Sequence, residues 1–297
     1  MMVDSFSGFH PLINILFFAA ALTFTMAFTH PVCLAISFIC SLAYSIYINR
    51  GKAIRFGLIF LLPALIMTAL LNPLFNHRGA TILLYFRSGN PLTLESIYYG
   101  AASAVMLSGA VSWFSCVNAV ITSDKIVYLF GRAAPAVSLL LSMSLRLVPR
   151  FISQAKIISG AQKAAGFGVS DGGLIKRARN GISILSILIT WALENAIDTA
   201  DSMKSRGYGL PGRTAFSIYR FGKRDRTALV FMLACVVFVI AGAVRGAFYF
   251  RYFPTVKGGP ASLWQTGAFI VLFVLCIAPV VINLYEDFKW KASESNR

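Results

Sequence analysis

The apolar positions of this chain do not alternate with polar ones; they run together. Between flanking charged residues lie uncharged runs at 56–76, 96–123, 227–244 and 258–285, and a further stretch from Ser5 to Asn49 that His30-Pro31 divides in two. A helix crosses the hydrocarbon core with roughly 20 apolar residues at about 1.5 Å each, so the pattern predicts six transmembrane helices. Two other runs, 133–145 and 180–193, are 13 and 14 residues long. That length predicts buried or interfacial helices rather than spans. The apolar piece 80–86 is shorter still and predicts a surface loop. Pro63 and Pro73 inside the third run predict a bend or an end there, which neighbouring helices compensate. His10-Pro11 and His30-Pro31 read as helix starts, where proline's missing N–H is no loss and the histidine caps.

Composition agrees with a bilayer as the solvent. Hydrophobic residues make up 57% and charged residues 13%, with a mean hydropathy of +0.72; soluble domains are about 25% charged. The net charge of +16 is distributed by segment. Arg50, Lys52 and Arg55 occupy the first short loop, and 124–226 holds 16 Lys or Arg against six acids. Segments 77–95 and 245–257 together hold five basic residues, and the tail holds three. Basic loops stay on the cytoplasmic side, which predicts both termini inside. The cationic excess then reflects topology and a basic insert, not nucleic-acid binding, for which a soluble cationic face would be expected. No Lys or Arg precedes the first apolar segment and a second span follows at once, so that segment reads as retained rather than as a cleaved signal.

The chemistry-bearing residues are sparse. Cysteines 33, 40, 116, 235 and 276 lie inside apolar runs without metal-ligand spacing, and His10, His30 and His77 are dispersed. These predict packing and capping, with no metal and no cofactor. No phosphate-binding loop or nucleophile–base arrangement occurs, so the chain is expected not to be an enzyme. Ser108, Ser112, Ser115 and Asn118, near Trp113, predict hydrogen bonds between helices. Ionisable residues are essentially absent from the apolar runs and no inverted repeat is evident, which argues against a self-sufficient secondary transporter.

The expected organisation is all-α: four transmembrane helices in 1–123, a cytoplasmic helical module in 124–226, and two transmembrane helices with a short tail in 227–297. The module begins with a helix over 135–163 that contains Leu145-Arg146-Leu147-Val148-Pro149-Arg150, where proline predicts a kink or restart. Gly166, Gly168, Gly172 and Gly173 predict a flexible connection. A second helix runs from Leu174 to Ser205 and closes at Arg206-Gly207, glycine supplying the left-handed residue. On it Glu194, Asp198 and Asp201 share one face and Leu193, Ile197 and Ala200 the next. The acids predict ion pairs with Arg146, Arg150 or Lys156.

The segment Ala200-Asp201-Ser202-Met203-Lys204-Ser205-Arg206-Gly207-Tyr208 resembles the signature of the T component of energy-coupling factor (ECF) transporters. His10-Pro11, the segment from Leu145 to Arg150, and Ala161-Gln162-Lys163 are similar to the same family, so the resemblance runs along essentially the whole chain. It implies a membrane subunit that joins a substrate-binding membrane (S) subunit to two cytoplasmic ABC-type ATPases, for uptake of a vitamin or metal-ion micronutrient. In that family two motifs of small residue, arginine and small residue end the coupling helices and enter the ATPases. Ser205-Arg206-Gly207 fits the second. At the first the pattern would be Ala-Arg-Gly, and this chain has Ala164-Ala165-Gly166, so Lys163 or Lys156 would supply the charge or the contact would be steric. Ala200, Asp201, Met203, Tyr208, Arg146, Gln162 and Lys163 are implied as supporting residues. The alternatives are a membrane anchor for another cytoplasmic complex and, more remotely, a stand-alone transporter.

Overall fold

The computed structural model describes residues 4–85, 91–170, 173–210, 219, 221–259 and 262–295. Its helices are α1 (Pro11–Ala27), α2 (Pro31–Asn49), α3 (Gly51–Phe56), α4 (Leu62–Phe75), α5 (Leu94–Val120), α6 (Ser123–Ala133), α7 (Pro135–Ala164), α8 (Leu174–Ser205), α9 (Lys223–Val244) and α10 (Leu263–Ser295). A π-helical turn, Gly57–Leu61, joins α3 to α4. Two small antiparallel hairpins pair β1 (Ile82–Tyr85) with β2 (Pro91–Thr93) and β3 (Phe250–Arg251) with β4 (Lys257–Gly258). The chain divides into two compact units, Met1–Thr122 with Tyr219–Arg297, and Ser123–Ile218.

Among the described residues six helices are long and apolar enough to cross a membrane: α2, the continuous run Gly51–Phe75, α5, α8, α9 and α10. The number is the one the hydrophobic runs predict, but the membership differs. Helix α1 starts only at Pro11 and is 17 residues long, at the short end for a span. Helix α8 qualifies because the apolar run 180–193 lies inside a 32-residue helix. The fold is that of a polytopic all-α membrane protein.

Both histidine caps form. The His10 ring nitrogen accepts from Leu12 N–H at 3.3 Å and that of His30 from Val32 N–H at 3.2 Å, satisfying first-turn donors at the two prolines. The third run does not stop at Pro63. The helix widens into the π turn just before it, Leu62 N–H reaching Gly57 C=O. This is one of the ways a helix absorbs an interruption of its ladder.

The core of the larger unit is aromatic. Trp113 is fully buried, edge-on to Phe17 (5.7 Å between centroids) and Phe18 (6.2 Å), and Phe6 meets Phe17 at 5.2 Å. The Trp113 N–H donates to Ser37 Oγ at 2.9 Å, and Ser37 is bonded in turn to Thr25. Helix–helix hydrogen bonding is therefore present near Trp113, but not through Ser108 or Ser112. Ser108 and Ser112 are buried with no partner among the described residues, Ser115 is half-buried and Asn118 exposed. That corrects the expectation for these four: α1 and α2 supply the hydroxyls. The five cysteines are buried and unbridged, as packing residues.

Helices α4 and α5 approach closely at Gly100, where a Cβ would lie 2.9 Å from the Ala69 carbonyl oxygen and 3.1 Å from Pro73 Cδ. Backbone cannot yield as a flexible side chain can. Gly100→Ala is therefore expected to cost about 1–3 kcal/mol through overpacking, read as a lower thermal midpoint of the purified protein; an unchanged midpoint would refute the close contact.

At one end of the bundle the connections are tied together. Ala80 N–H donates to Pro254 C=O at 3.0 Å, Tyr252 donates to Thr29 C=O at 2.8 Å, and Tyr99 packs on Tyr252 and Phe253. The four residues of β1 are exposed, in keeping with a piece too short to span. At the other end the segment before α1 folds back into the bundle. Asp4 accepts from Asn283 at 2.7 Å and Tyr44 at 3.2 Å, and Phe6 N–H donates to Asn283 at 2.9 Å. Asp225 accepts from both His10 N–H (3.0 Å) and Gly222 N–H (2.9 Å), so one carboxylate serves the starts of α1 and α9. Arg224 pairs with Glu286 at 2.6 Å and lies over the Phe9 ring at 4.2 Å.

Candidate functional site: two helix ends in the Ser123–Ile218 unit

The second unit is a set of helices with little enclosed core. Helices α6 and α7 form a hairpin held by Ser138 Oγ donating to Val127 C=O at 2.9 Å. Helix α7 runs from Pro135 to Ala164 without ending at Pro149, which corrects the expected restart. Its midpoint residue Phe151 meets Trp191, near the middle of α8, edge-on at 5.7 Å. From that contact each helix continues for 13 or 14 residues to its motif, about 20 Å at the α-helical rise.

Both motifs end their helices in the same way. After Ala164, Gly166 N–H bonds to Lys163 C=O at 3.1 Å and Phe167 N–H to Gln162 C=O at 2.9 Å, with Gly166 at φ 85°. After Ser205, Gly207 N–H bonds to Lys204 C=O at 2.9 Å and Tyr208 N–H to Met203 C=O at 3.0 Å, with Gly207 at φ 78°. These are the paired bonds of a glycine-closed C-cap. Ala165 and Arg206 thus hold equivalent positions, one residue before the left-handed glycine. The departure at 165 removes a side chain without altering the cap.

The rest of the motif is assembled at the end of α8. The Ser205 hydroxyl donates back to Asp201 C=O at 2.9 Å, Met203 is half-buried, and Ala200, Asp201, Arg206 and Tyr208 are exposed. The Arg206 guanidinium makes no ion pair or hydrogen bond with the described residues. It projects from a helix C-terminus, where carbonyls favour a cation. Gln162 is half-buried and Lys163 exposed beside Ala164. Arg146 does not join either end: it is exposed, 18 positions before Ala164 on α7, about 27 Å of helix.

The expected ion pairs do not form. Among the described residues the only salt bridge is Arg224–Glu286; Glu194, Asp198 and Asp201 are exposed and unpaired with Arg146, Arg150 or Lys156. The two helices meet through the Phe151–Trp191 rings, and a buried amide ties α8 to the connecting segment, leaving the acids on a solvated face. The apolar face beside them is also open: Ile182, Leu185, Ile189, Leu193 and Ile197 are each at least half exposed. Spacings of three and four residues put them on one stripe of α8.

The buried amide was not singled out by sequence. Asn180 Nδ2 donates to Gly168 C=O at 2.9 Å and fixes the connection between α7 and α8, where glycines predicted only flexibility. Gly172 lies outside the described residues. A polar residue at the edge of an otherwise apolar run was the available signal. Asn180→Ala is expected to leave that carbonyl unpaired at a cost of about 1–3 kcal/mol, seen as faster limited proteolysis between 165 and 173; wild-type cleavage rates would show the bond to be dispensable.

A helical pair with two matching capped ends, on a chain whose remainder is a membrane bundle, is the pattern to compare with known proteins. A family model described as CbiQ, cobalt transport protein, matches residues 8–217. The energy-coupling factor transporter transmembrane protein EcfT of Lactobacillus helveticus is 36% identical over 113 residues, 38% of this chain and 41% of that one. The proteins of the same name from Lactococcus lactis and Streptococcus thermophilus are 35% identical over 103 residues and 32% over 132. They are covered over 39% and 50% of their lengths, for 34% and 44% of this chain. The matches thus span half or less of each curated relative. The family model spans more than half of the chain, takes in all but the end of the Ser123–Ile218 unit, and includes both helix-end motifs; the chain belongs to the CbiQ family of transport proteins.

Proposed function

We propose that the chain is the transmembrane coupling subunit, the T component, of an ECF-type ATP-driven importer. The observation that carries this reading is the pair of equivalent glycine-closed helix ends, one bearing the exposed and unpaired Arg206. A guanidinium that keeps its charge when enclosed, offers five donors and stands at a cationic-favouring helix end suits an interface with a partner. In this reading Ser205-Arg206-Gly207 docks on one cytoplasmic ABC-type ATPase subunit through a charged contact. Ala164-Ala165-Gly166 docks on the other by shape, with Lys163 and Gln162 adjacent. Hydrolysis resides on those partners, and this chain performs no catalysis of its own.

The open apolar stripe on α8 is the surface offered to a membrane-embedded substrate-binding subunit. Closure of the ATPases moves the two helix ends, and the rigid helices pass that displacement to the substrate-binding subunit. The cargo class follows the family reading, a vitamin or metal-ion micronutrient selected by the separate subunit. In this topology α1 crosses the bilayer and α8 lies on the cytoplasmic side, both termini being cytoplasmic. The acids Glu194, Asp198 and Asp201 at one end of α8's apolar run, and Lys176, Arg177 and Arg179 at the other, favour that placement.

Two measurements test this. Affinity purification from the native membrane is expected to recover two ATPase subunits and a small membrane subunit. A cysteine placed at position 206 is expected to react with an impermeant maleimide only in inside-out vesicles. Labelling from the exterior, or solute movement by the isolated chain without a nucleotide-hydrolysing partner, would overturn the reading in favour of a seven-span arrangement or a stand-alone carrier. Recovery with a different cytoplasmic complex would favour the anchor.

A further inference from the structure

The larger unit contains a groove of about 260 Å³ between α2, the π turn and α5, lined by Phe38, Leu42, Ile46, Leu58, Leu61 and Ser112. Its origin is geometric. Helices α4 and α5 touch at Gly100, while the π turn sits beside the far half of α5, and the wedge between them is left open to the surroundings of the bundle. The groove is apolar apart from two serines, Ser45 and Ser112, and of these only Ser112 lacks a hydrogen-bond partner among the described residues. The Ser112 hydroxyl is 2% exposed and has no hydrogen-bond partner among the described residues. A buried hydroxyl left unpaired is costly, so the groove asks for an acceptor. A single water, with a share of liquid volume near 30 Å³, would satisfy the hydroxyl and leave most of the apolar space empty.

Charge identifies what fills it. Arg50 just before α3, and Lys52 and Arg55 on it, are exposed within a turn or so of the groove residues Ala53, Ile54 and Phe56. No acidic residue occurs in the sequence between Asp4 and Glu95. The carboxylate on the α10 side of α2, Asp287, accepts from Tyr47 at 2.6 Å and shares its pocket with Arg50 and Lys291, so Lys52 and Arg55 remain for another anion. Ser112 lies eight residues before the Val120 end of α5, about 12 Å of helix, at the end of the bundle that carries these cations. An apolar slot with one unpaired hydroxyl, below a cationic rim at that end of the spans, matches the parts of a lipid whose headgroup is anionic.

We propose that this groove is a binding site for one acidic glycerophospholipid. An acyl chain occupies the slot, its ester carbonyl accepts from the Ser112 hydroxyl, and Lys52 and Arg55 meet the phosphate. The site is independent of the ATPase contacts; only its assignment to the inner leaflet rests on the topology proposed above.

The test uses the full chain, delipidated in detergent and followed by native mass spectrometry and thermal unfolding. Phosphatidylglycerol or phosphatidylcholine with identical chains is added back. Phosphatidylglycerol is expected to be retained at one copy, at least fivefold over phosphatidylcholine, and to raise the unfolding midpoint; glycerol 3-phosphate should not displace it. Leu58→Trp, which fills the slot from a residue that is 61% exposed, should abolish retention while the protein still unfolds cooperatively. The double variant Lys52→Gln/Arg55→Gln should keep a lipid but lose the preference, and Ser112→Ala should weaken retention several-fold. Equal retention of both lipids by the wild type, or undiminished phosphatidylglycerol on Leu58→Trp and on the alternative slot-filling variant Leu61→Phe, would overturn the site. Both outcomes are read without partner subunits, so they leave the coupling function untouched.

Discussion

Arg206→Glu is expected to strip the proposed ATPase subunits from the purified complex while the chain itself still inserts and folds. The cap that ends α8 is made by backbone bonds and Gly207, not by the arginine side chain. The local penalty for an acid there is therefore only the unfavourable helix dipole, about 0.3–1 kcal/mol. An interface arginine, by contrast, typically accounts for about 2–4 kcal/mol when removed, roughly 30- to 1000-fold in affinity, and reversing its sign adds repulsion. Arg206→Lys should recover part of the loss, since it restores charge without the planar fork. The equivalence of Ala165 and Arg206 supplies the reciprocal experiment: Ala165→Arg adds a guanidinium at an exposed, already capped position and should make retention of the ATPases more resistant to detergent. Wild-type recovery of ATPases by Arg206→Glu would remove the arginine from the interface.

The second large effect is on the bundle. Trp113→Ala should destabilise by about 3–5 kcal/mol, the range for emptying a buried aromatic site. Trp113 is the largest fully buried side chain among the described residues, and its removal also leaves the Ser37 hydroxyl without a donor that reaches across from α5. Trp113→Phe preserves the edge-on packing against Phe17 and Phe18 and should cost only about 1–2 kcal/mol, the share of the lost hydrogen bond. A thermal midpoint for Trp113→Ala close to that of the wild type would mean that neighbouring helices collapse into the space.

Much of this architecture is legible along the chain because the bilayer imposes long uninterrupted runs, and His-Pro and Arg-Gly pairs mark helix ends with few competing readings. The limits of α2, α8 and both histidine caps follow from such marks. What is not legible is decided by spatial neighbours. Nothing near Ser112 in sequence reveals that its hydroxyl faces an apolar wedge while Ser37, 76 positions from Trp113, takes the indole N–H. Pro149 and Pro63 do not end their helices, since a chain held by packing tolerates one missing bond. The acidic stripe of α8 invited partners by charge alone, but rings and the Asn180 amide fix how α7 and α8 meet. Run length alone also cannot decide which apolar helices cross the bilayer: α8 has a span's length and composition, while α1 is the shorter helix.

The contacts of Asp4 and Phe6 with Asn283 join residues 279 and 277 positions apart. A ribosome adding roughly 5–20 residues per second delivers Asn283 tens of seconds after Asp4. For that interval the leading segment can meet Tyr44 and Phe17 on the early helices, but not the Asn283 amide that both Asp4 and the Phe6 N–H engage in the finished bundle. Closing the bundle is thus a late event in biogenesis, because a nascent chain arrested before α10 lacks the one side chain that ties the leading segment to the last helix.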